Sequence, residues 1–281
     1  MGVWEYGGVG GDSELSRQGS NKMTVPDTQY ASRDTQYASQ ITDHAARITY
    51  DIYFVGVGGQ GILTIGEIIT EAAYRKGMPV NFYPTKGMAQ RGGFVKAQLR
   101  LGREMPGPAI PEKGADLVIA TEVSEALKAV RFVKPEGDFV LYAHVWAPTA
   151  VMLGKAPYPK LDEVAAAACA ALDDGARFCV IPPDALPVYE GAPVADNIFT
   201  LGVVLGRTRL GELLPPAQVE AVVRGRWKRG VERNMLAFTA GLAFAQASGV
   251  RGQEAGANGQ LGNQLPVSSF QFPAASPQAQ P

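Results

Sequence analysis

Two glycine-rich segments carry most of the polar chemistry in this sequence. Gly56-Val57-Gly58-Gly59-Gln60-Gly61 lies between the apolar run Ile52-Tyr53-Phe54-Val55 and a stretch where Ile62, Ile65, Ile69, Ala72 and Ala73 recur at helical spacing up to Gly77. The run reads as a buried parallel strand and the stretch as a helix. The turn therefore falls at a strand's carboxyl end, where N–H groups at a helix N-terminus can approach an anion or another chain closely. The second segment, Thr85-Lys86-Gly87-Met88-Ala89-Gln90-Arg91-Gly92-Gly93, follows a second predicted strand, Pro79 to Tyr83, and should lie beside the first turn. Its glycines permit close approach, Lys86 and Arg91 add positive charge, and Gln90 adds an amide that donates and accepts. Such a set suits a phosphate, a carboxylate or a partner's acidic surface. A glycine-rich turn with solvated charges is the plain alternative.

The glycine spacing also fits a dinucleotide turn, but holding a ribose calls for an acidic residue at the end of the next strand. Tyr83 is followed by Pro84, Thr85 and Lys86, which disfavours a NAD-dependent dehydrogenase. His44 and His144 are the only histidines and assemble no metal site. Cys169 and Cys179 are too few for a four-thiolate cluster and read as reduced thiols of a cytoplasmic protein. Ser124 and Ser248 lack a nucleophile elbow. Glu122 and Glu125 read as charges favoured by a helix N-terminus, and Arg224 to Arg229 as a solvated helix end or subunit contact.

These residues need a scaffold, and the sequence supplies one. Strand–helix alternation continues through Gly93 to Leu101, whose Val95, Ala97, Leu99 and Leu101 share one face opposite Lys96, Gln98 and Arg100. Further strands are expected at 115–120, 139–143 and 178–181, and helices at 124–132, 161–172, 197–206 and 216–247. The core candidates on these helices are Ala126, Leu127, Val130, Val219, Val222, Val223, Leu236, Phe238, Leu242 and Phe244. The pattern predicts a doubly wound α/β domain over 48–249, a mostly parallel sheet with helices on both faces. Flexible arms should flank it: 1–47, with a tandem Asp-Thr-Gln-Tyr-Ala-Ser repeat, and 250–281, rich in Gly, Gln, Ser and Pro. The chain's 26 basic and 27 acidic residues give no footprint for nucleic acid, and no apolar run is long enough to span a bilayer.

In order along the chain, GVGGQGI, GMAQRGGFV, Leu99-Arg100-Leu101-Gly102, Gly114-Ala115-Asp116, Glu122 with Glu125-Ala126-Leu127, and Asn197 with Leu201-Gly202 resemble the gamma-type domain of 2-oxoacid:ferredoxin oxidoreductases. Within that family the Gly-Met-Ala-Gln-Arg-Gly-Gly form is most similar to the small beta subunit of the indolepyruvate branch, whereas pyruvate and 2-oxoglutarate versions usually carry Gly-Pro-Glu in place of Gly87-Met88-Ala89. The match covers the predicted domain and leaves out both arms. The resemblance implies a subunit with no cofactor of its own. Thiamine diphosphate, magnesium and iron–sulfur clusters would sit on larger partner chains, with electrons passing to ferredoxin or another acceptor and coenzyme A at the interface. Carried over by position, Gly58, Gly59, Gln60 and Gly61 with Gln90, Arg91, Gly92 and Gly93 would form the coenzyme A edge. Arg91, together with Lys86, would meet a coenzyme A phosphate or a partner carboxylate. A stand-alone nucleotide- or coenzyme-binding regulator is the competing expectation.

Overall fold

Strand β1 (Tyr50–Val57) is buried along its whole length, as an apolar run must be when both faces of a sheet are covered. Alternation sends Ile52 and Phe54 into one core and Tyr53 and Val55 into another. In the computed structural model, residues 48–86, 93–147, 149–173 and 175–247 are described. Both terminal arms, with His44 and Ser248, lie outside the described residues, as do Gln90, Arg91 and Gly92 and the Lys86 side chain.

Among the described residues the main sheet has six strands in the order β2-β3-β1-β4-β5-β6. After β1 these are β2 (Val80–Lys86), β3 (Phe94–Leu101), β4 (Ala115–Ala120), β5 (Val133–Tyr142) and β6 (Arg177–Ile181). β1, β4, β5 and β6 run parallel, while β3 is antiparallel to both β1 and β2. The helices are α1 (Ile62–Arg75), α2 (Val123–Ala129), the single turn α3 (Thr149–Met152), α4 (Leu161–Ala171), α5 (Asp196–Arg207), the short α6 (Leu210–Leu213), α7 (Pro216–Arg226) and α8 (Val231–Ala247). Residues of α1, α5, α7 and α8 share the core of Ile52 and Phe54, and those of α2 and α4 that of Tyr53 and Val55. The architecture is the doubly wound α/β layer structure that the alternation predicts, with one reversed strand. Each fully buried large apolar side chain in these layers contributes roughly 1.5–3 kcal/mol.

Several expectations need correcting. β5 begins at Val133, upstream of the expected Phe139, and the last helical stretch breaks at Gly230, whose φ is +71°. Leu127 and Leu236, expected inward, are exposed, because α2 buries the face of Val123, Ala126 and Ala129 and α8 that of Met235, Ala237 and Phe238. The polar side of β3 is covered as well: Gln98 Oε1 accepts from the Ile110 N–H at 2.5 Å, and Arg100 reaches the Gly107 and Ala109 carbonyls of the proline-rich loop. Cys169 and Cys179 are unbridged, and burial pushes both thiols up, so neither is an activated nucleophile. Among the described residues no helix is long and apolar enough to cross a membrane.

Candidate functional site

The two glycine segments meet. β3 begins opposite Val57, so the far end of the second segment reaches the first turn, and the Gly58 N–H donates to the Gly93 carbonyl at 2.8 Å. The antiparallel reversal makes this contact, and the strand order puts β2, ending at Lys86, on the far side of β3. Gly59 is exposed, and among the described residues nothing stands within 4 Å of where a Cβ would be, so the backbone itself can be approached closely. Gly61 caps α1 in the left-handed region with φ 66°, and a side chain there would sit 2.4 Å from Asn197 Nδ2. Among the described residues no side chain caps α1, and no acidic residue occupies its first turn, which leaves the positive end of the helix facing the turn.

Gln60 behaves differently from its glycine neighbours. Its side chain turns inward: Oε1 accepts from the Val57 N–H at 2.9 Å and from Thr121 Oγ1 at 2.8 Å, while Nε2 donates to the Thr121 carbonyl at 2.8 Å. This amide ties the turn to the end of β4. From the other side, Asn197 at the start of α5 donates to the Gly61 carbonyl at 3.2 Å. The turn is thus clamped by β4 and α5, neither of which is near it in sequence.

The neighbouring polar groups are mostly committed. Glu122, fully buried, is the N-cap of α2; it accepts from the Glu125 N–H at 2.9 Å, Ser124 Oγ at 2.7 Å and the Tyr158 hydroxyl. This confirms the helix-terminus reading of Glu122 and commits the Ser124 hydroxyl to the same carboxylate. Burial, reinforced by Glu122, pushes the Tyr158 phenol up. In the basic cluster Arg224 pairs with Glu220 and Arg226 with Glu67, as a solvated helix end would. Asp196, the first residue of α5, lies within electrostatic reach of His144, which linear spacing does not reveal. Asp196, Thr121, Trp146 and Tyr158 are rim residues that sequence reasoning missed. The one usable signal was Asp196-Asn197 just ahead of an apolar helical run.

Burial holds the Asp196 carboxyl above its ordinary value of 3.8, and the Asn197 N–H and His144 offset this only in part. Above 3.8 the folded state therefore binds more protons than the unfolded chain, and this group's contribution to stability falls as pH rises through that window. Asp196→Asn keeps the acceptor and removes the charge. It should raise the midpoint of thermal unfolding at neutral pH, with the gain vanishing as pH falls below 3.8; a gain that grows in acid would refute this account.

Residues 51–244 match the pyruvate ferredoxin/flavodoxin oxidoreductase family. The chain is similar to the indolepyruvate oxidoreductase subunit IorB of Archaeoglobus fulgidus, 39% identical over 160 residues that cover 56% of this chain and 76% of that one. It is also similar to the subunit of the same name from Thermococcus kodakarensis, 34% identical over 198 residues, 70% of this chain and 96% of the relative. A solved structure, the pyruvate oxidoreductase subunit PORC of Thermotoga maritima, is 19% identical with a TM-score of 0.49, covering 69% of this chain and 96% of that one. With the family match running from β1 to the last turns of α8, the chain belongs to the pyruvate ferredoxin/flavodoxin oxidoreductase family.

Proposed function

We propose that the chain is the non-redox subunit of a cytoplasmic, thiamine-diphosphate-dependent 2-oxoacid:ferredoxin-type oxidoreductase, and that its glycine rim completes the coenzyme A side of the active site. The observation that carries this reading is the Gly58-to-Gly93 hydrogen bond, which joins both glycine segments at a helix N-terminus that no described side chain caps. Coenzyme A fits that edge chemically: an open backbone at Gly59 and the positive end of α1 suit a phosphate. Gly58, Gly59, Gly61, Gly92 and Gly93 would line the approach, with Arg91 and Lys86 supplying charge and Gln90 an amide. Gln60 would set the shape of the turn from behind.

Thiamine diphosphate with its magnesium supplies the decarboxylating chemistry, held with the iron–sulfur clusters on larger partner subunits. Two cysteines are too few for a four-thiolate cluster on this chain. An aryl 2-oxoacid such as indolepyruvate is the proposed substrate class, supported by the names of the relatives. Ferredoxin, or another acceptor reached through the partners, takes the electrons.

Purification through this chain should bring down a larger thiamine-bearing subunit. In that complex, Arg91→Ala should raise the KM for coenzyme A about tenfold, the loss of one charge-assisted contact, or else loosen subunit association. Unchanged kinetics in an intact complex would remove Arg91 from the site. A lone chain binding coenzyme A at full affinity would point instead to a regulator.

A further inference from the structure

Three rings step outward from the end of β5. Tyr142 is 5% exposed and packs in the core, His144 stacks on it at 6.1 Å with planes 15° apart, and Trp146 follows at 6.3 Å and 37°. They sit on alternate residues, and a tight turn just past the end of β5, closed by the His144 N–H on the Tyr142 carbonyl, brings each ring against the next. The outermost residue, Trp146, is 40% exposed.

The backbone under the rings is fixed at each step. The His144 N–H donates to the Tyr142 carbonyl at 2.8 Å, the His144 carbonyl accepts from the Val123 N–H at 3.0 Å, and the Trp146 N–H reaches Glu122 Oε1 at 3.4 Å. Both flanks lead to the glycine turn. Glu122 follows Thr121, which holds Gln60, and Asp196, within electrostatic reach of His144, precedes Asn197, which holds Gly61. A part-exposed ring whose backbone is linked through Glu122 and Thr121 to the glycine turn supplies, together with that turn, the two parts that a nucleotide needs: a flat face for the base and an N-terminal helix end for the anion.

We propose that Trp146, backed by His144 and Tyr142, is a stacking platform for the purine ring of a nucleotide whose phosphate is held at the glycine turn. The inference rests on the anion-binding reading of that turn and adds a specificity for the ring. A base stacked on an aromatic side chain gains enough that losing the face weakens binding about tenfold or more.

The probes are AMP and ribose 5-phosphate, which share the phosphate and differ in the ring, titrated calorimetrically against the full chain with its co-purifying subunits. AMP should bind about tenfold tighter than ribose 5-phosphate. Trp146→Ala should bring AMP down to the ribose 5-phosphate level without changing ribose 5-phosphate itself, and Trp146→Phe, which keeps a ring, should retain most of the difference. Equal binding of the two probes by the unsubstituted protein overturns the platform and leaves the anion reading standing; no binding of either overturns both. A Trp146→Ala protein that binds AMP normally, or that sheds its co-purifying subunits, also overturns the proposal, the second outcome marking the indole as a subunit contact.

Discussion

Replacing Arg100 with methionine should lower the unfolding free energy by about 3 kcal/mol, the low end of what breaking a buried ion pair costs. Arg100 grips Asp51 with both ends of its guanidinium, Nε to Oδ1 at 3.1 Å and Nη2 to Oδ2 at 2.8 Å. The side chains are only 11% and 4% exposed, so neither charge has water to fall back on. Methionine preserves the apolar stem and leaves the carboxylate stranded in the middle of the sheet. The loss stays at the low end because Arg103 Nη2 also lies 3.5 Å from Asp51 Oδ2, partly exposed and able to move closer. Arg100 in addition anchors the Gly107 and Ala109 carbonyls, so the proline-rich loop should loosen with it. Urea denaturation of the full chain tests this, and a change below about 1 kcal/mol would show the pair to be worth no more than a surface bridge.

Much of this fold is legible in the sequence because two periods, near 2 and near 3.6, separate strand from helix wherever one face is buried. α1 comes through for that reason, β1 instead as an unbroken apolar run covered on both faces, and the turn between them follows from the glycines. The direction of β3 does not come through, since Val95, Ala97, Leu99 and Leu101 alternate the same way whether the strand runs up or down the sheet. Yet that direction delivers Gly93 to Gly58. Long-range clamps are equally silent: nothing local marks Thr121 as the partner of Gln60 or Asp196 as the neighbour of His144. The resemblance singles out Asn197 and Leu201-Gly202 without a reason, and the structure supplies two. Asn197 holds Gly61, and a Cβ at Gly202 would lie 2.3 Å from the Phe238 carbonyl oxygen, where α5 and α8 touch backbone to backbone.

Gln60→Leu should cost about 3 kcal/mol of stability and weaken the site together, and the coupling of the two effects is the point of the experiment. Leucine matches the volume but offers no hydrogen bond, which strands the Val57 N–H, the Thr121 hydroxyl and the Thr121 carbonyl in a place water cannot easily reach. Each such group costs roughly 1–3 kcal/mol, and because they share one side chain the sum falls short of three independent losses. There is no slack to absorb the change: a Cβ on Gly56 would already lie 2.1 Å from Thr121 Oγ1, so the three residues can move only by shifting the turn. A shifted turn carries Gly58 away from Gly93 and reorients the N-terminus of α1. A residue that merely touched a ligand would behave differently, with weaker binding and unchanged unfolding. Urea denaturation of the full chain without ligand, run beside Arg91→Ala as the case of a proposed contact, separates the two roles: Gln60→Leu should shift the midpoint, Arg91→Ala should leave it in place, and a Gln60→Leu chain as stable as the original would return that amide to the binding edge.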